Sequence, residues 1–116
     1  MRQLAALFLA GHGWVHGVMW ALPYSAEARA DLPMDPAHSW LIGDARAFGL
    51  AFGIATAVAF MVAAGAVLMD AGWWPWAVIV ASVLSVVLMA LFFSPWWGIG
   101  FAIDAVLLVV AWRALG

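Results

Sequence analysis

Four apolar stretches, each close to twenty residues and separated by polar breaks, occupy most of this chain. They fall at about 3–22, 45–68, 75–93 and 97–115. At ~1.5 Å per residue, about twenty helical residues cross the ~30 Å hydrocarbon layer of a bilayer. No water is present there to satisfy the backbone, so a spanning segment must bond internally as a helix. The 116 residues leave room for little beyond these segments and their links. The pattern predicts an all-α fold. It is an integral membrane four-transmembrane-helix bundle with a long first loop, one domain over 1–116, located in the cell membrane. Only 9% of residues are charged and 69% are hydrophobic. A soluble domain carries roughly a quarter charged residues, so the expected partner of the outer surface is the lipid bilayer.

Local signals agree with these segments. Pro23 ends the first. Asp44 has the character of an N-cap for the second, and Gly72 lies just past its end. Pro75 opens the third segment, and Ser94-Pro95 reads as an N-cap with proline at the first helical position before the fourth. The second and third links are short, which makes helices two, three and four antiparallel neighbours.

The first link, 24–43, is about twenty residues long and contains Glu27, Arg29, Asp31, Pro33, Asp35, Pro36 and His38. A loop of that length is more often functional than merely connecting. Residues 37–42 are expected to form a short interfacial helix with Trp40 at the headgroups. The start, Met1-Arg2 and then an apolar run, invites a signal-peptide reading with small residues near Ser25-Ala26. The run is longer than a usual signal core and carries two histidines, so it is read as a retained spanning helix. Arg2 and Arg113 on one side balance Arg29 and Arg46 on the other, which leaves orientation open. Trp20, Trp40, Trp96 and Trp97 are expected as one interfacial belt, and Trp73, Trp74, Trp76 and Trp112 as the other.

The polar groups inside the spans converge in depth. His16 lies six residues before the end of the first span, Ser85 eight before the end of the third, and Asp104 seven after the start of the fourth. All three are therefore roughly 10 Å below the boundary on the long-loop side. His12 is one turn deeper and shares a helix face with His16. Ionisable residues in a span are costly and tend to pair inside the bundle. Asp104 has no arginine or lysine near it in the span, so its expected partner is His16 or His12. The pairing serves either to lock helices or to hold a ligand or a proton.

Ala6, Ala10, Gly13 and Gly17 form a small-residue ridge on the first helix. Gly49 and Gly53 form another on the second, beside Ala51, Ala55 and Ala59. Such faces allow close helix contact, within the bundle, in a homo-oligomer or in a larger membrane complex. Gly11 and Gly13 also leave space beside the His12 ring. Thr56 and Ser82 can satisfy backbone carbonyls. Arg46 in a first helical turn opposes the helix dipole, so it calls for an anionic partner: Asp44, Asp35, a lipid phosphate or an acidic ligand. His38 is a loop histidine that could cap a site floored by His16 and Asp104.

Several chemistries are excluded. There are no cysteines, hence no disulfide, thiolate or cysteine-ligated metal chemistry. The net charge of −2 excludes a nucleic-acid patch. No phosphate loop, serine-triad pattern or paired catalytic carboxylates occur. His12 and His16 with Asp104 can ligate a divalent metal, although the glutamate of a zinc-protease helix is missing. One histidine, alone or with His38, could bind haem. A quinone could use a histidine donor with Trp14 and Trp20 as an aromatic wall. The sequence requires none of these cofactors.

The first helix, Leu7-Phe8-Leu9-Ala10-Gly11 through Gly17, the early Pro23, and Gly49 to Gly53 resemble the DoxX-like group of small bacterial four-helix membrane proteins. That resemblance implies a membrane-bound auxiliary or redox-associated role, and it carries no residue roles onto His12, His16 or Asp104. The expected function is a non-enzymatic auxiliary subunit or ligand- or cofactor-binding module with an intramembrane His/Asp cluster. The alternatives are a membrane redox protein and a proton-coupled carrier of a small substrate.

Overall fold

A computed structural model describes residues 1–21 and 35–116. The expectations on Pro23, Ser25-Ala26, Glu27, Arg29, Asp31 and Pro33 lie outside the described residues. Four helices are long and apolar enough to cross a membrane. They are α1 (Arg2–Ala21), α2 (Arg46–Leu68), α3 (Trp74–Leu91) and α4 (Gly98–Ala114), the last entered through a 3-10 turn at Pro95–Trp97. A two-stranded antiparallel hairpin, β1 (His38–Ser39) and β2 (Gly43–Asp44), precedes α2. The helices pack in sequence order, α1 on α2, α2 on α3 and α3 on α4, in a body of 46 × 21 × 20 Å.

Glycine sets the α1–α2 distance. A Cβ at Gly13 would lie 2.4 Å from the Cβ of Phe60, and one at Gly53 would lie 2.7 Å from the Cβ of Trp20. Both helices therefore approach closer than any larger residue allows. The interior has two apolar clusters. One gathers Ala6, Leu9, Phe60, Ala63, Ala81 and Ala111 among others. The other holds Trp20, Ala45, Leu88, Met89 and Phe92. Along the helices the buried polar residues His16, Thr56, Ser85 and Asp104 fall between these clusters. The opposite faces, for example Leu7, Val58, Val83 and Val106, are apolar and exposed.

Residues 37–42 form no helix. Gly43 sits at φ 87°, a left-handed setting that glycine tolerates and a right-handed helix does not. The hydroxyl of Ser39 accepts from the amides of Leu41 and Ile42, both at 3.3 Å, and so shapes the turn. The hairpin then staples the end of α3. The last carbonyls of a helix have no partner within it. Here Ser39 Oγ donates to the Leu91 carbonyl at 2.5 Å and Trp40 Nε1 to that of Ala90 at 2.6 Å. Trp97 Nε1 donates to the Phe92 carbonyl at 2.8 Å. Ser39 is fully buried, so Ser39→Ala should destabilise the protein by about 1–3 kcal/mol, through an orphaned carbonyl. Thermal unfolding in detergent checks this, and an unchanged midpoint would show that the staple contributes nothing.

Two expected caps are replaced. The N-cap of α2 is Ala45, without a side-chain bond, and Asp44 is not the cap. Strand pairing sets Asp44 opposite His38, and its carboxylate meets His38 Nδ1 at 3.2 Å. At the other end of α2 the left-handed residue is Asp70 (φ 55°), two residues before Gly72. The Ala71 amide bonds Ala66 O at 2.9 Å and the Asp70 amide bonds Val67 O at 3.2 Å, which closes a Schellman motif. Asp70 also pairs with Arg2 at 3.3 Å, tying the start of α1 to the α2–α3 link. Ser94 accepts from the Trp96 amide at 3.3 Å, and Pro75 sits buried in the first turn of α3. Trp20 leaves the expected belt. It is buried against Phe92 and Trp97 in the space that Gly49 and Gly53 open, because it lies on the α2-facing side of α1.

Candidate functional site

Three helices bring four polar side chains together between the two apolar clusters. On α1, His12 and His16 lie one turn apart, with ring centroids 4.8 Å from each other. Ser85 comes from α3 and Asp104 from α4. His12 Nε2 lies 3.1 Å from Asp104 Oδ1. Ser85 Oγ lies 2.5 Å from Asp104 Oδ2 and 2.7 Å from His16 Nε2. Asp104 and Ser85 are fully buried and His16 nearly so.

Counting protons orders the chain of bonds. Ser85 has one hydroxyl proton and gives it to Asp104 Oδ2, so its oxygen is left to accept from His16 Nε2. The imidazole tautomers set the direction of the His12 contact. Asp104 meets one partner through each carboxyl oxygen. Two histidines one turn apart differ by about 6 Å along the helix. The network is therefore a belt that crosses the bundle from α1 to α3 and α4 and takes in one helical turn of α1.

Phe60 of α2 walls this belt. Its ring meets His12 edge-on at 4.9 Å and lies nearly parallel to His16 at 6.0 Å. Sequence reasoning missed it, although a signal was present. Gly49, Gly53, Thr56 and Phe60 follow at helical spacing on one face, so the residue after the small stripe had to meet α1. Thr56 spends its hydroxyl on the Phe52 carbonyl at 2.8 Å, as expected. Ser82 does not act similarly: its hydroxyl is buried without a partner among the described residues.

Other expected site residues lie elsewhere. Trp14 is 64% exposed and lines an outer groove with Gly17, Ile54 and Met61. Two residues from either histidine is ~200° around a helix, so Trp14 cannot wall the buried side. Trp20 does reach the buried side, 6.0 Å from His16. Gly11 is exposed with open space at its Cβ and borders no ligand cavity. His38 does not cap the belt, because the hairpin turns it to exposed Asp44. Arg46 shares a polar cleft with Asp35 and Asp44, two of the anions its position called for.

Any metal at the belt would draw on His12, His16 and Asp104, whose ligand atoms all lie within 4.8 Å of one another. Haem between His38 and a buried histidine is not prepared, since His38 is held by Asp44. A cavity of about 630 Å³ lies by the Arg2–Asp70 pair, lined also by Ala5, Phe8, Leu9 and Leu107 among others. Of its lining residues, Phe8 lies parallel to the His12 ring at 6.3 Å. No protein-family model, curated protein or solved structure matches the chain, so the likeness to DoxX-like proteins rests on the residues quoted for it.

Proposed function

We propose that the chain is an integral membrane protein, a four-helix bundle that acts as a non-enzymatic binding module or auxiliary subunit. Its functional centre is the His12–Asp104–Ser85–His16 belt. The membrane reading is supported by the four long apolar helices and by their apolar outer faces. The DoxX-like resemblance points to the same kind of protein.

One observation carries the binding reading: a fully buried carboxylate with an imidazole and a hydroxyl as its bonded partners. Taking a charge out of water costs several kcal/mol even when it is paired. Cohesion does not require that cost, because glycine contacts already join α1 to α2 and alanines pack α3.

Two measurements test this. The protein should stay with membranes through an alkaline carbonate wash, and release into the supernatant would refute the membrane reading. The variant His12→Leu/His16→Leu/Ser85→Ala/Asp104→Val replaces the belt by apolar groups of similar size. It should fold with equal stability or gain about 1–4 kcal/mol, as buried ion pairs replaced by hydrophobes commonly do. A large loss in this variant would mean that the belt exists to hold the fold, and the binding reading would fall.

A further inference from the structure

We propose that the belt is a site for one divalent transition-metal ion of zinc-like, borderline character, bound by His12, His16 and Asp104. This rests on the reading of the belt as a binding centre and names its ligand. The observation behind it is directional. Both imidazoles turn Nε2 inward, one to Asp104 at 3.1 Å and the other to Ser85 at 2.7 Å. One candidate ligand atom from each of His12, His16 and Asp104, on two helices, lies within 4.8 Å of the others.

A tetrahedral ion with bonds of ~2.0–2.1 Å holds its donor atoms roughly 3.4 Å apart. The widest pair must therefore close by somewhat over an ångström when the ion binds. The donor set selects the class of ion. Two imidazoles and one carboxylate suit zinc and its neighbours, whereas magnesium and calcium want all-oxygen shells. Ser85 remains outside the ligand set and holds the carboxylate by its 2.5 Å bond, as an outer partner that orients a ligand.

Charge is the main opposing term. The carboxylate neutralises one of the ion's two charges. A metal-bound water that ionises near neutral pH neutralises the other in the fourth position. Both imidazoles must present an unprotonated Nε2 to the ion, so a proton on either Nε2 moves to Nδ1 or is released as the ion enters. His12, at 9% side-chain exposure, is the edge of the belt from which an ion would enter.

The test uses untagged full-length protein in detergent, loaded with zinc alone, desalted, and analysed for metal per chain. About one ion per chain is expected. His16→Gln and Asp104→Asn should each reduce affinity by at least 100-fold in competition with a chromophoric chelator. Ser85→Ala should weaken it by about 10- to 100-fold, as loss of an outer-shell partner does. His38→Ala should change nothing. Melting curves confirm that each variant is folded, and a variant that does not fold is replaced by His12→Gln. No retained zinc in the native protein would overturn the proposal. So would retention undiminished by the His16 and Asp104 substitutions, or lost with His38. The stability of the all-apolar variant decides the binding reading separately, so failure of the metal does not decide that reading.

Discussion

His12→Ala is expected to be the most destabilising single substitution in the belt, costing about 3–5 kcal/mol, and more than Asp104→Ala. Both remove the same 3.1 Å bond. They differ in what remains. Without His12 a fully buried carboxylate keeps only the Ser85 hydroxyl, and an uncompensated buried charge has that order of cost. Without Asp104 the group left unpaired is the His12 imidazole, while Ser85 keeps its contact with His16 at 2.7 Å. One such unsatisfied polar group costs about 1–3 kcal/mol. Unfolding of the single and double variants in detergent measures the ranking. The double variant should be no worse than His12→Ala, because the orphaned charge goes with its partner. Additive losses would show that the two residues do not act together. This outcome holds whether the belt binds a ligand or only ties helices, so the all-apolar replacement is the experiment that separates those readings.

Gly13→Ala is the second large effect. The new methyl would sit 2.4 Å from Phe60 Cβ and 3.2 Å from the Ala57 carbonyl oxygen. Neither neighbour can turn away, since one is backbone and the other is attached directly to it. The helices must separate, and overpacking of this kind costs about 1–3 kcal/mol, with more when backbone moves. Phe60 also walls both histidines, so the belt should loosen with it. Gly11→Ala is the control two residues away. Nothing lies within 4 Å of its Cβ position, and alanine is favoured over glycine in a helix by about 0.8–1.0 kcal/mol. It should leave stability unchanged or raise it. A Gly13→Ala protein as stable as the parent would refute the close α1–α2 contact.

Much of the site could be placed from the sequence. Counting residues from the ends of the apolar segments brought His16, Ser85 and Asp104 to one depth, because helical rise per residue is constant. It could not say which imidazole meets the carboxylate. His16, the residue level with Asp104 by counting, reaches it through Ser85, whereas His12 bonds it directly. That choice depends on how the helices are rotated and offset, and rise alone carries no such information. Trp14 and Trp20 show the same limit. Both were candidate walls, yet a difference of six residues turns one outward and buries the other.

By itself the sequence determined the helices. Runs of about twenty apolar residues admit one backbone solution when no water is at hand, and all four appear, with ends shifted by a few residues. It also determined that a lone buried carboxylate needed histidine nearby. Only the tertiary structure decided the rest. It made residues 38–44 a hairpin, because the carbonyls at the end of α3 needed donors that Ser39 and Trp40 could bring. It chose Asp70 over Gly72 to end α2, because Asp70 took the left-handed turn and also met Arg2. It closed the belt by setting α3 and α4 against the histidine face of α1. These are long-range contacts, and their energies depend on partners that no local pattern names.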